Sequence, residues 1–335
     1  MAQALTSTVD IGAPRERMLH IIVNPSSGNG AAGKGWYGFA TDVSLRGYSF
    51  EVRFTEKRGD ATRFAREYAA REVETVVAMG GDGTVNEVIN GLMTAAGPRS
   101  PGTQLAIAAA GTGKDLVRSI GTRTFVQMLD ALDAGHTTAI DLALLTYVDV
   151  DTGAEATRFF ANVADMGLGA DVARRIETSP SGKALGGMVS YLVQAVKTIR
   201  VFKGKEIQLK LDGETAFEGL AQMVVFCNGA YFAGGMRIAP LSSLRDGLLD
   251  VIVLEDVGRR ELLTSLLPRV YLGRHIGQKG VHHFTAKQAT IDTPEPFMVE
   301  LDGELPGLSP VSVNVHPQAL TVVALPDGVA TEGGQ

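Results

Sequence analysis

Three short stretches of the 335-residue sequence join glycine to residues able to bind or carry charge. They are "NPSSGNG" from Asn24 to Gly30, "GGDG" at Gly80–Gly83 and "GTGKD" at Gly111–Asp115. Glycine admits positive φ and close backbone approach, so successive N–H groups can converge on phosphate oxygens beside a helix N-terminus. Any one of them could equally be a plain tight turn. A fourth stretch, "LDGE" at Leu301–Glu304, sets Asp302 and Glu304 two residues apart. Alone, Asp-Gly-Glu is an ordinary hairpin signal.

The opening loop fits two phosphate-binding patterns, each imperfectly. Gly28, Gly30 and Gly33 have the G-x-G-x-x-G spacing of a dinucleotide fold, and Glu51 lies near the place of its ribose-binding acid. Four residues, Asn24, Pro25, Ser26 and Ser27, nevertheless separate the first glycine from the strand ending at Val23. Gly28, Gly33 and Lys34 have P-loop spacing, but Gly35 stands where a hydroxyl should hold magnesium.

The elements that must position these turns can be read from hydrophobic periodicity. Strands are predicted at 18–23, 48–55, 75–79 and 104–110, with helices near 33–46, 59–71 and 84–93. Strand and helix alternate, which argues a parallel sheet covered on both faces, and in such a sheet ligands gather beyond the carboxyl ends of the strands. All three glycine turns fall at that edge, which favours a site for a polyanion. Beyond about residue 142 the texture changes to short strands separated by turns, with two helices near 183–201 and 259–273. That half reads as a largely antiparallel sandwich or sheet.

Composition narrows the function classes. Apolar residues make up 45% and charged residues 20%, so a sizeable core is available, and the formal charge of -6 argues against nucleic acid as a partner. The lone Cys227 can form no internal disulfide, which fits a reducing compartment, and no apolar run is long enough for a membrane span. A cytoplasmic protein is the expectation. The His282–His283 pair reads as a solvated strand end rather than a zinc site.

"NPSSG" (24–28), "TEKRGDA" (55–61), "GGDGTVNEV" (80–88), "GTGKD" (111–115), "NGAYFAGGMRIAP" (228–240), "DGLLDV" (246–251) and "LDGE" (301–304) occur in that order. This series resembles the diacylglycerol kinase catalytic family, which includes sphingosine and ceramide kinases and bacterial soluble lipid kinases. The resemblance runs from about residue 19 to about residue 324. It implies an ATP site between an α/β nucleotide-binding domain, 18–142, and a β-rich lipid-substrate domain, 143–305, with 306–326 returning to complete the first. Residues 1–17 and 327–335 are then flexible termini.

Carried over position by position, the resemblance places Asn24, Ser26, Ser27 and Thr55 at the nucleotide. Gly80, Gly81, Asp82, Gly83, Thr84, Val85, Asn86 and Glu87 would form the phosphate loop, followed by Gly111, Thr112 and Asp115. Glu304 matches the presumed general base, with Asp302 close by. Phosphoryl transfer needs positioning and charge neutralisation, and Mg²⁺ supplies the latter; Asp82 is the leading acid to organise it, with Asp115 in support. A second ion would bind Asp246 and the carbonyls of Ser243 and Leu248, although a plain Asp-Gly turn explains the same residues.

The acceptor is less legible. Leu185, Met188, Val189, Leu192, Val193, Val196 and Ile199 form one helical stripe, followed by Lys197, Arg200, Lys203 and Lys205. Such a stripe is usually core, and otherwise borders a lipid cleft with its basic end toward anionic headgroups at the inner face of a membrane. A homodimer is expected from the family's habit. The turn around Lys114 departs from the family pattern, with Lys114 for Asn and Ala109 for Pro. Rival readings are an NAD kinase or phosphofructokinase, a nucleotide- or lipid-binding regulator without turnover, and a Rossmann oxidoreductase.

Overall fold

The computed structural model describes residues 17–96, 102–111, 113–178 and 187–326. Its first half alternates strand and helix: β1 (Met18–Val23), α1 (Ser27–Leu45), β2 (Ser49–Phe54), α2 (Asp60–Ala70), β3 (Thr75–Gly80), α3 (Asp82–Ala96), β4 (Gln104–Ala109), α4 (Asp115–Ile120) and α5 (Phe125–Asp133). β2, β1, β3 and β4 lie side by side in parallel register. β3 is buried along its whole length, as a strand covered on both faces must be. One face packs Trp36, Phe39 and Val43 of α1 with Met128, Leu129 and Leu132 of α5. The other packs Ala61, Ala65 and Tyr68 of α2 with Val88, Ile89 and Leu92 of α3.

The second half comprises β5 (Thr137–Asp149), β6 (Glu155–Phe160), β7 (Val163–Gly167), α6 (Leu168–Thr178), α7 (Gly187–Ile199), β8 (Lys205–Leu211), β9 (Glu214–Cys227) and β10 (Leu249–Glu255). A helical run, α8, follows as Arg259–Glu261, a π turn at Leu262–Leu266, and Leu267–Tyr271; the chain ends in β11 (Val281–Ala286), β12 (Gln288–Asp292), β13 (Met298–Leu301) and β14 (Glu304–Val323). The α/β first half and mainly antiparallel second half expected from the sequence are both present. β8, β9, β7, β13, β14 and β12 pair in a closed antiparallel ring around Leu209, Phe226, Ile291, Leu301 and Val313.

Two long strands join the halves. β14 leaves the ring and pairs in parallel with β4 through Val322 and Leu105, while β5 runs beside it in antiparallel register. A hinge between independent bodies is thus replaced by continuous strands.

Several local expectations need correction. α1 is bounded at Ser27, but Gly28, Asn29 and Gly30 are left-handed, so regular helix begins only after them. α4, α5 and α6 were not foreseen, the first two because six- and nine-residue helices show little periodicity. His282 and His283 are not a solvated strand end: each is half-buried in β11 and meets a carboxylate on β10, Glu255 at 2.6 Å and Asp250 at 2.5 Å. Glu51 is held by Arg71, Arg53 and the Tyr68 hydroxyl on the far side of β1, which removes the dinucleotide reading of it. Of the helical stripe, Leu185 lies outside the described residues, Ile199 is buried, and Leu192 and Val193 are exposed. No helix among the described residues is long and apolar enough to cross a membrane.

Candidate active site

β1, β3 and β4 end side by side, so their three following turns share one sheet edge. The turns are stitched by backbone: Asn24 N–H donates to the Met79 carbonyl at 2.9 Å, and Ala110 N–H to the Gly80 carbonyl at 2.8 Å. Asn24 Nδ2 also donates to Thr84 Oγ1 at 2.9 Å, while its Oδ1 accepts from Ser26 N–H at 3.1 Å. These side chains fix one loop against the first turn of α3.

Glycine is sterically required where the turns meet. A Cβ on Gly28, whose φ is 61°, would lie 2.2 Å from the Ala110 carbonyl oxygen, and one on Gly111 only 2.5 Å from Gly81 Cα. A Cβ on Gly113 would fall 2.1 Å from Asp82 Oδ2. Such distances are far inside van der Waals contact, so a side chain at Gly28 or Gly111 would force the loops apart, and one at Gly113 would displace the Asp82 carboxylate.

Asn24, Ser26, Ser27, Thr55, Gly81, Gly83, Thr84, Glu87 and Glu304 border a cleft of about 410 Å³, together with Glu56, Lys57 and Arg58. Gly80, Asp82, Asn86, Gly111 and Asp115 do not line it, and Thr112 lies outside the described residues. Val85 is a correction: its side chain is buried in the core and its N–H is spent on the Gly81 carbonyl at 3.0 Å, so neither faces the cleft. Glu87 accepts from Gly59 N–H at 3.0 Å and Ala61 N–H at 3.2 Å, satisfying the otherwise unpaired amides that open α2.

Asp82 and Asp115 are near enough that the charge of Asp82 bears on Asp115. Burial pushes the Asp82 carboxyl above its usual range, opposed by the backbone N–H groups of Asp115 and Lys114. Burial likewise raises Asp115 to about 7, with the charge of Asp82 adding to the shift and Gly234 N–H, 2.9 Å from Oδ2, opposing it. Two neighbouring carboxylates, set behind the residues that line the cleft, are the oxygen type a hard divalent cation prefers.

Glu304 is positioned by a chain of polar contacts. Asp302, at φ 45°, accepts Val163 N–H on Oδ1 and both Asn86 Nδ2 and Ala161 N–H on Oδ2. Burial pushes its carboxyl up to about 7 against those three donors. Asn86 Oδ1 in turn accepts from Arg158 Nε at 2.7 Å, and Arg158 meets Glu304 Oε2 at 2.5 Å. Arg58 reaches the same Oε2 at 2.8 Å. Oε1 is left facing the start of α3, 3.3 Å from where a Cβ of Gly83 would stand. Asp302 is thereby tied to Glu304 through Asn86 and Arg158.

Sequence reasoning missed the two arginines. Arg58 lies inside the "TEKRGDA" stretch, so a signal existed; Arg158, on β6 in an unremarkable strand, gave none. Also missed was the tip of the 228–240 loop. Phe232 and Met236 exchange two backbone hydrogen bonds (2.9 and 2.8 Å), and Ala233, Gly234 and Gly235 between them have φ of 50°, 83° and 110°. That tight tip delivers the Gly234 amide to Asp115.

Lys114 has a backbone reason to be unusual. It sits in the left-handed region at φ 57°, ψ 32°, immediately before α4, where asparagine is tolerated and lysine is strained. Among the described residues Asp115 is met by the Gly234 amide and Arg118 rather than by the Lys114 ammonium. Lys114→Asn is expected to stabilise the fold by about 0.5–1 kcal/mol and leave turnover within about twofold. Paired chemical denaturation and turnover assays check this; a lower midpoint refutes it.

A second cavity, about 80 Å³, lies under α6, α7 and α8 against β9 and β10, and Phe232, Met236 and Ile238 of the same loop line it. Every lining side chain except His275 is apolar. Gly234 and Met236 are two Cα steps apart, at most about 7 Å, so one loop touches both the acidic pair and this cavity.

Comparison with known proteins agrees with the geometry. A family model described as "Diacylglycerol kinase catalytic domain" matches residues 18–145, and one described as "YegS C-terminal NAD kinase beta sandwich-like domain" matches 162–324. The protein named "Probable lipid kinase YegS-like" in Yersinia enterocolitica is 31% identical over 82% of this chain and 86% of its own length. The chain belongs to the diacylglycerol kinase catalytic family. It is an enzyme of the lipid-kinase class. The "Diacylglycerol kinase" of Bacillus subtilis is 28% identical over 87% of this chain and 90% of its own. A diacylglycerol kinase structure from Bacillus anthracis shares the fold (TM-score 0.68, 22% identity, 95% of this chain and 100% of that one), as does yeast NADH kinase at lower similarity (TM-score 0.51, 11% identity, 93% and 84%).

The residues named for the second ion form a hydrogen-bonded turn. Asp246 Oδ1 accepts Leu248 N–H at 3.0 Å and Ser243 Oγ accepts Arg245 N–H at 3.3 Å. Burial raises the Asp246 carboxyl, and the charges of Asp250 and Asp141 push the same way. Among the described residues no group of three or more His, Cys, Asp or Glu side chains is arranged to hold a metal by itself.

Proposed function

We propose that the protein transfers the γ-phosphate of ATP to a hydroxyl of a diacylglycerol, a sphingoid base, ceramide or a similar lipid. The observation that carries this is the placement of Glu304 Oε1 over the opening turn of α3, in the cleft bordered by the glycine turns. The triphosphate lies along the turn amides and the N-terminus of α3, whose partial positive charge favours it. Asn24, Ser26, Ser27 and Thr55 hold the nucleotide side of the cleft. As the acceptor oxygen bonds the γ-phosphorus, the bond to the ADP oxygen breaks and the acceptor proton passes to Glu304 Oε1.

Mg²⁺ held by Asp82, with Asp115 behind it, would neutralise the charge on the phosphates. Asp246 with the Ser243 and Leu248 carbonyls would take a second, structural ion, relieving the crowding with Asp141 and Asp250.

The acceptor's tail enters from the loop of Phe232 and Met236 into the apolar cavity. Since such a lipid resides in a bilayer, the enzyme must reach it from the surface. Val193 of α7 (38% exposed) and Val201 beyond its end (60% exposed) stand beside Lys197 and Arg200 at helical spacing. That mixed apolar and basic face suits an anionic membrane surface.

Purified protein with ATP, Mg²⁺ and a panel of diacylglycerol, sphingosine, ceramide, polyprenol, NAD and sugar phosphates tests the reading. Phosphorylated lipid is the expected product. Transfer to NAD alone, or no transfer to any lipid, refutes it.

A further inference from the structure

His275 lies 2% exposed in a turn after α8, and it is the one polar side chain lining the apolar cavity. Neither ring nitrogen completes a hydrogen bond, although both are shut off from solvent. A buried polar group left unpaired is costly, and in an apolar cavity water is a poor remedy because it needs several polar partners. Burial holds the imidazole below its usual pKa, so the ring is neutral near pH 7 and has one N–H and one lone pair. The Ile238 carbonyl stands on one side of the ring and favours the proton there. A carbonyl can only accept, so the nitrogen facing it carries the hydrogen and the other presents its lone pair.

We infer that the cavity selects a lipid whose buried portion carries a hydroxyl, which donates to the unpaired nitrogen of His275. This rests on the lipid-kinase reading and narrows it to acceptors with a second hydroxyl besides the one phosphorylated. The cavity's other walls, Leu168, Val172, Ile199, Leu262 and Leu266 among them, offer only apolar contact, so His275 alone can discriminate. A site built to bond a hydroxyl rejects the deoxy analogue more strongly than an apolar pocket rejects an extra methylene, because the protein group is then left unpaired.

The test uses diacylglycerols with one hydroxyl moved stepwise along an acyl chain, each beside its unhydroxylated twin, assayed on wild type and His275→Phe. One hydroxyl position is expected to raise kcat/KM by on the order of tenfold over its unhydroxylated twin, chiefly through KM, and in His275→Phe the ratio between the twins should fall to about one. The variant should also melt about 2 °C higher, since it removes an unpaired buried polar group without loss of volume. A lower melting temperature would mean that His275 serves the fold, and a preference for hydroxylated chains that survives in His275→Phe would mean another group reads them; either overturns the inference. Should neither protein phosphorylate any lipid, the kinase reading fails, and this one is judged by binding: the ¹⁵N shift of the His275 lone-pair nitrogen must move with the hydroxylated chain and not with its twin.

Discussion

Glu304→Gln is expected to lower kcat by about 10²- to 10⁴-fold, the usual span for a lost general base, while ATP affinity changes little. The reasoning is geometric. Oε2 is occupied by Arg58 and Arg158, so the carboxylate cannot swing, and Oε1 is left at the cleft over Gly83. The amide keeps the size and the hydrogen-bonding oxygen but cannot take the acceptor's proton. Since proton transfer follows binding, the loss belongs in kcat rather than KM, and steady-state kinetics with an independent nucleotide-binding titration separate the two. A turnover within threefold of wild type would remove Glu304 from the chemistry and leave its arginine pair as a purely structural contact.

Sequence and structure part company at instructive places. The parallel run of β1, β3 and β4 was legible because each strand is a short apolar segment followed by a turn containing glycine, and two signals coincide there. Asp82, Asp115 and Glu304 were legible as types within motifs. What the sequence could not say is that Asp302 is tied to Glu304 through Asn86 and Arg158, because those partners lie 216 and 72 residues apart in pairs that only the fold brings together. Glu87 shows another hidden layer: it belongs to the most specific motif, and both its oxygens accept the opening amides of α2. Glu87 borders the cleft as well, so its place in the motif joins a structural bond to a position at the site. The short helices α4 and α5 were invisible for a simpler reason, since six and nine residues are too few for a helical period to stand out.

Asp82→Asn should have the other large effect, and its two readouts move in opposite directions. Losing the carboxylate removes the leading anchor for Mg²⁺, so turnover is expected to fall by on the order of 10²- to 10³-fold, the range seen when a single charge-stabilising group is removed. Stability behaves differently, because Asp82 and Asp115 are both held above their usual range by burial and Asp115 further by its neighbour's charge. A carboxyl raised from 3.8 to about 7, as Asp115 is, binds more protons folded than unfolded between those values. Its contribution to stability is therefore complete below the unfolded pKa and is lost as pH rises toward 7. Removing the charge at Asp82 lowers the Asp115 carboxyl toward its ordinary range. Metal-free Asp82→Asn should accordingly lose less stability than wild type between pH 4 and 7. Denaturation midpoints across that window, in chelator, decide the point: a variant whose stability falls as steeply as wild type would show that Asp82 and Asp115 do not share a field, and with it would go their joint role at the phosphates.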